Sequence, residues 1–371
     1  MNFALFYHSV RSDWNHGNAH FLRGMVRALQ ARGHRVTVFE PADGWSREQL
    51  VKDQGPDALA EFAARFPDIR WRTYLPRRLD LEAALEGVQV VIAHEWTEPG
   101  VVAALGRYRR RHTGLRLLFH DTHHRMVSDV DAMAGMDLDG YDGVLAFGAV
   151  LADAYRRAGW GRDVHTWHEA ADVTTFFPRS ARVTRDVVWV GNWGDGEREQ
   201  ELMDYLVEPV RRVGARLAVH GVRYPETALA ALRAVGADYR GWVPGPRVPD
   251  VFACARLTVH VPRRWYRDRL VGIPTIRMFE ALACGIPLVA APWHDVEGLF
   301  VAGEDYLLAE DPTWMTKHMR RLLADPEERA WLGRRGLARI LGHHTCAHRA
   351  AELLQILAQM DVAELKERVS G

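Results

Sequence analysis

The chain opens with a short apolar run, NFALFY (residues 2–7), followed by the polar stretch HSVRSDWNHG. A run of that length with a polar boundary predicts a buried strand. From about Asn18 the spacing changes. Phe21, Leu22, Met25, Val26 and Leu29 recur at three- and four-residue intervals, which is one face of an amphipathic helix. Asn18 suits its N-cap and Gly33 its stop. RVTVF (35–39) returns to a strand pattern. Strand, helix and strand in that order imply parallel pairing through a right-handed crossover.

The alternation continues with apolar runs at VQVVI (88–92), LRLLF (115–119), GVLAF (143–147) and VHTW (164–167). It breaks between Pro178 and Arg185 into a polar, arginine-rich segment. A second series follows: VVWVG (187–191), RLAVHG (216–221), RLTVHV (256–261) and IPLVAA (286–291). Helical patterns lie between them, notably over 197–213 and 275–284, and a last one runs from about 345 to 360. The prediction is two α/β domains of the Rossmann-like kind, 1–180 and 181–371. In open parallel sheets ligands sit beyond the carboxyl ends of the strands, so two sheets facing each other would line an interdomain cleft.

Composition narrows the class. Of 371 residues, 48% are hydrophobic and 26% charged, with 48 basic and 48 acidic residues. Zero net charge argues against a general affinity for nucleic acid. Cys254, Cys284 and Cys346 form no CxxC pair and no disulfide framework, so a reducing, cytoplasmic setting is expected. The N-terminal apolar run is too short for a signal peptide, and no stretch approaches the roughly 20 apolar residues of a membrane span.

The strongest chemical signal is PTIRMFEALACGIP (274–287). A helix carrying Glu280 near its start ends at a small-residue turn and runs into the strand IPLVAA. A carboxylate at the ligand edge of a sheet can accept two hydrogen bonds from the vicinal hydroxyls of a ribose. A solvated helix glutamate is the bland alternative, against which stands the apolar company of Met278, Phe279, Ala281 and Leu282. This segment resembles the donor-binding region of group 1 glycosyltransferases, and more narrowly their spore-maturation-type branch, where a basic residue and an aromatic precede the glutamate, here Arg277 and Phe279. The loop from Glu297 to Asp305, the helix start Asp325 to Arg329, and His344-Thr345 with His348-Arg349 match the same pattern. Residues 16–41 look like the family's opening unit.

The resemblance implies a GT-B fold and transfer of a sugar from a nucleoside-diphosphate sugar to an acceptor hydroxyl, with no metal and no bound cofactor. It implies that Glu280 grips the ribose and that Gly191 and Asn192, with Gly194 and Gly196, form a phosphate loop before a helix carrying Arg198. Trp242 and Val243 would hold the base, Gly17 would let the chain approach the diphosphate, and His120, just past a strand end, would act on the sugar. Arg263 would stabilise the leaving group. Asp172 matches a domain-closing motif, and the final helix would pack back on the first domain. One departure stands out. Retaining members carry a second glutamate eight residues before the ribose one, and that position is Gly272.

Three rival readings remain. His120, Asp121, His123 and His124 are metal-ligand types that a hydrolase would use, although their spacing fits no zinc motif. A GT-B epimerase would share the nucleotide half, and a sugar-nucleotide-binding protein without activity would account for Gly272. The basic run Arg107–His112 reads as a solvated helix face, with a membrane-surface role for a lipid-linked acceptor as the minority reading.

Overall fold

A computed structural model describes residues 1–370, with side chains through Asp361. By internal contacts the chain forms two units. The first comprises Met1–Ser12, Leu22–Glu169 and the chain from Cys346 onward, and the second Asp13–Phe21 and Ala170–Thr345.

The first unit holds a parallel sheet of seven strands: β1 (Asn2–Phe6), β2 (Arg35–Pro41), β3 (Arg70–Tyr74), β4 (Val90–His94), β5 (Arg116–Asp121), β6 (Gly143–Ala146) and β7 (Asp163–Thr166). Their order is β3-β2-β1-β4-β5-β6-β7. Phe3 pairs with Val36 on one side and Val90 on the other, so β1 and β4 lie at the centre. Every residue of β4 is buried, as expected of a central parallel strand covered on both faces. β3 has no counterpart among the predicted strands. Its sequence, RWRTY, is an edge strand with three exposed side chains, so burial left no apolar run to find.

The second unit holds six parallel strands: β8 (Arg185–Val190), β9 (Leu217–His220), β10 (Asp238–Tyr239), β11 (Ala255–His260), β12 (Leu288–Ala290) and β13 (Leu307–Leu308), in the order β10-β9-β8-β11-β12-β13. β8 shows how alternation divides the core. Val187 and Trp189 face one cluster with Leu206, Met315 and Met319, while Val188 and Val190 face another with Met278, Phe279 and Leu282. The two-residue strands β10 and β13 are too short for a periodic signal. The predicted helix over 197–213 is helical from Glu199 to Val213, with a π-helical turn at Met203–Val207.

The chain passes between units four times, at 12/13, 21/22, 169/170 and 345/346, rather than once near residue 180. Side-chain anchoring explains the difference. Arg179, inside the polar segment, pairs with Asp250 at 2.6 Å and so belongs to the second unit. Ala171 N–H donates to His344 O at 2.9 Å, which joins the two passing segments. Asp172 accepts from Thr174 N and from the hydroxyls of Thr174 and Thr175, and so fixes the turn that follows.

The last helix, Cys346–Ser370, is held within the first unit. Trp167 Nε1 donates to Arg349 O at 3.0 Å, and Arg116 pairs with Asp361. Trp167 is 1% exposed. Trp167→Ala is expected to destabilise the protein by about 3–5 kcal/mol, the usual cost of emptying a large aromatic site. Urea unfolding measures it, and a loss below about 1 kcal/mol would show that the helix docks without the indole.

Candidate active site

In the second unit, a helix from Ile276 to Ala283 turns at Gly285, in the left-handed region at φ 67°, and feeds β12. Met278, Phe279 and Leu282 hold it to the core. Glu280 is in the body of this helix, not near its start, and is fully buried. A buried carboxylate needs charged or hydrogen-bonded company. Arg277, one turn earlier, pairs with Oε2, and His20 Nδ1 meets Oε1.

His20 comes from the Asp13–Phe21 segment. Its Nε2 lies 3.5 Å from Asp13 Oδ2, which also accepts from Gly245 N–H at 3.1 Å. Burial alone would lower the His20 pKa. The charge on Glu280, supported by Asp13, outweighs burial and leaves it above the usual 6.5. Gly245 has to be glycine, because a Cβ there would lie 2.1 Å from His20 Nε2. The same segment brings Gly17 against the helix start, where a Cβ would meet Ile276 Cγ2 at 3.0 Å. It also places Asn15 Oδ1 2.6 Å from Asn192 Nδ2.

Asn192 organises the cations. Its carbonyl and side-chain oxygens accept from Arg198 at 3.0 and 2.6 Å, and Oδ1 lies 3.3 Å from Arg263 Nη2. Arg198 precedes the first helical turn rather than lying within it. Burial, then the charge of Arg263, lowers its pKa to about 9, so it stays protonated at neutral pH. Arg263 is tethered by Glu197 and by Gly194 O at 3.2 Å. Gly194 leaves space for a guanidinium stem, since a Cβ there would lie 2.3 Å from Arg198 Cγ. The glycine loop was expected to offer its N–H groups to phosphate. In the structure its carbonyls hold arginines, and the positive charge lies on those side chains.

The loops after β8, β9 and β10 are joined. Gly221 N–H donates to Gly241 O at 2.8 Å, and a Cβ on Gly221 would lie 1.9 Å from Gly191 O. Trp242 follows directly, and no group among the described residues hydrogen-bonds its buried Nε1. Val243 packs against the core. Phe279 is not brought to the site. Its ring is buried 5.5 Å from Phe300 and 5.8 Å from His344.

In the first unit, the strand order reverses between β1 and β4, the place where open sheets leave a crevice at their carboxyl edge. Tyr7, Glu95 and Asp121 lie at the ends of β1, β4 and β5. His120 is the penultimate residue of β5 rather than beyond it. Its Nδ1 lies 2.6 Å from Tyr7 Oη, and its ring is edge-on to Trp167 at 4.8 Å. Burial lowers its pKa to about 3, so it is a neutral imidazole.

The neighbouring metal-ligand types have separate partners. Asp121 accepts from Tyr155 Oη at 2.8 Å and from His123 N–H at 2.9 Å, and His124 Nδ1 lies 2.7 Å from Ser128 Oγ. Among the described residues no three His, Cys, Asp or Glu side chains are grouped to hold a metal ion. The basic run at 107–112 is engaged in part: Arg109 pairs with Asp142 and Arg110 with Asp139.

Two glycosyltransferase profiles cover most of the chain. Residues 17–175 match "Glycosyltransferase Family 4", and residues 198–355 match "Glycosyl transferase-like". This chain belongs to the GT-B glycosyltransferases. No curated protein matches it at the sequence level. Solved structures share the fold of the transferase at low identity. Sucrose-phosphate synthase from Thermosynechococcus elongatus is 16% identical with a TM-score of 0.68, over 98% of this chain and 100% of that one. HepE of Anabaena, in complex with UDP and glucose, is 13% identical with a TM-score of 0.66, over 97% and 100%. An alpha-glucosyltransferase in complex with UDP is 11% identical with a TM-score of 0.68, over 96% and 100%.

Sequence reasoning missed His20 and His260 in the transferase. His20 lies on the polar side of an amphipathic helix, and its partner Glu280 is 260 positions away. His260 ends an apolar strand and reads as part of it. Its Nε2 lies 3.1 Å from Thr275 Oγ1, and burial, then Arg198, lowers its pKa to about 3.

Several histidines are therefore buried neutral: His120 and His260 near 3, and His8 and His220 near 4, all mainly through burial. Unfolding returns each to about 6.5, so the unfolded chain binds more protons as pH falls below that value. Their contribution is whole above pH 6.5 and is lost as pH falls toward 3. Each wholly buried group is expected to cost about 1.4 kcal/mol per pH unit in that window. Glu95, Asp121 and His20 are shifted upward and gain stability over part of the same range, so denaturant midpoints at about pH 7.5, 6 and 5 should fall in that order by less than the four rings alone would give, and midpoints that rise on acidification would contradict the burial of these rings.

Proposed function

We propose that the transferase moves a hexosyl group from a nucleoside-diphosphate sugar to an acceptor hydroxyl, with neither a metal ion nor a bound cofactor taking part. The observation that carries this reading is the buried Glu280, held by Arg277 and His20, in the unit whose strand-end loops carry Arg198 and Arg263. A carboxylate has about four lone-pair sites, so Glu280 can accept ribose hydroxyls beside its present partners. Solved relatives in complex with UDP or UDP-glucose support a nucleotide donor.

As the donor's glycosidic bond breaks, negative charge grows on the leaving diphosphate. Arg198 and Arg263, already oriented by Asn192, offset that charge without reorganising at the moment of reaction. Trp242 and Val243 border the base. His120 offers a neutral imidazole as a hydrogen-bonding group for a substrate hydroxyl. Its depressed pKa makes it a weak proton acceptor at neutral pH, so its role is orientation.

The acceptor is taken to be something other than nucleic acid, on the zero net charge, although an alpha-glucosyltransferase of similar fold was solved with UDP and DNA. No helix among the described residues is long and apolar enough to cross a membrane. The transferase is assigned to the cytoplasm on its cysteine usage.

Glu280→Gln should weaken binding of the matching nucleoside diphosphate by roughly 1–3 kcal/mol, the cost of losing charged hydrogen bonds. A thermal-shift screen of nucleotide sugars selects the ligand, and calorimetry on the folded variant reads the loss. Unchanged affinity would remove Glu280 from the ribose site.

Metal independence has its own test. Treatment with a chelator should leave transfer intact once donor and acceptor are known. Activity that disappears on chelation and returns with a stoichiometric metal would reverse this part of the proposal.

A further inference from the structure

Two helices, Trp45–Gln54 and Asp57–Arg65, connect β2 to β3. The first is held by Ser46 and Leu50, both buried. Arg47, Glu48, Val51 and Lys52 are neighbours on its surface at one- and four-residue spacing, and they border a cavity of about 700 Å³. Leu59 of the second helix, Trp71 and Thr73 of β3, Ala42 and Arg11 complete the lining. Small-molecule sites run from roughly 300 to 1,000 Å³, so the space is of ligand size.

The lining is held in place before any ligand arrives. Trp71 and Thr73 project from one face of β3, and Thr73 is in register with Glu40 of β2. Glu40 is fully buried and accepts from Ser9 Oγ and Val10 N–H, both at 2.9 Å, and from Arg11 Nε. Those bonds hold the Arg11 guanidinium over the Trp71 ring at 4.0 Å. Nε is engaged by Glu40, which leaves the two Nη groups of Arg11 as donors. Arg47 lies 3.9 Å from Glu40, beyond hydrogen-bond reach, and Lys52 is exposed. Against these three cations the lining sets one carboxylate, Glu48, and the charge of Glu40 is divided between Arg11 and Arg47. Positive charge is therefore in excess, beside the apolar surface of Val51, Leu59 and Trp71.

We propose that this cavity is a second small-molecule site and takes an oxyanion, phosphate or carboxylate, carried on an apolar ring. Arg47, Lys52 and the Nη groups of Arg11 meet the anion, since guanidinium forks match the oxygens of either head group. Val51, Leu59 and Trp71 cover the ring. Cations gathered at one cavity repel each other, and an entering anion relieves that repulsion. Every lining residue belongs to the first unit, whereas Glu280, Arg198 and Arg263 belong to the second. The inference therefore stands or falls separately from the nucleotide-sugar reading.

The test is calorimetry at low salt with four probes: 1-naphthyl phosphate, 1-naphthylacetate, neutral 1-naphthylmethanol and inorganic phosphate. Wild type should bind at least one naphthyl anion about tenfold or more tighter than the neutral alcohol and than inorganic phosphate, with affinity falling as salt is added. The better of the two anions identifies the head group. Arg47→Ala combined with Lys52→Ala should weaken that binding by about tenfold or more at an unchanged melting temperature. Lys52→Glu, a single change at an exposed position, gives the same reading if the double variant loses its fold. Three results would each overturn the site: no binding of either naphthyl anion, equal binding of the neutral alcohol, or folded variants that bind as wild type does.

Discussion

The second unit is arranged around one electrostatic constraint: a fully buried glutamate. Glu280 has no water to solvate its charge, so protein groups must do it. Arg277 reaches it from one helical turn away, and His20 reaches it from the segment at 13–21. His20 in turn needs Asp13, and Asp13 is held by the backbone of Gly245. A single buried charge thereby dictates the position of a loop, a helix and a glycine. The same segment sets Asn15 against Asn192, so Glu280 and the pair Arg198 and Arg263 share one scaffold.

Glycines in this half act by leaving space. Gly194 makes room for the Arg198 stem, Gly221 admits the Gly191 carbonyl, and Gly245 admits the His20 ring. A side chain at any of them would push a charged group or a loop backbone out of place. The cost of crowding two arginines is met by Asn192, Glu197 and loop carbonyls, which accept from both guanidinium groups. Arg198 stays cationic although burial lowers its pKa to about 9.

The first unit uses the opposite electrostatics. His120 is packed between Tyr7 and Trp167 and kept neutral, and burial lifts Asp121 to about 6. Glu95 is pushed well above the ordinary carboxylate range by burial and by Asp121, with Arg125 opposing. Asp121 is still mostly ionised at neutral pH, so the end of this sheet holds a neutral imidazole beside a carboxylate rather than a pair of arginines.

Much of this was legible in the sequence. Apolar runs marked the central strands, the stripe from Phe21 to Leu29 marked a helix, and the pattern around Glu280 marked the family. Each is a local signal, carried by residues close together in the chain. The edge strand at 70–74 and the two-residue strands escaped because short or solvent-facing strands carry no apolar run. A motif gives adjacency in the chain, whereas neighbouring helix residues point in different directions: Glu280 meets His20, and Phe279, next to it in the motif, enters the core. The sequence by itself determined the fold class, the parallel sheets and the residue types available for donor chemistry. Only the tertiary structure decided that His20 meets Glu280 and that Arg198 and Arg263 share Asn192. Those are contacts between distant segments, and they follow from how closely folded backbones approach one another, which no local pattern encodes.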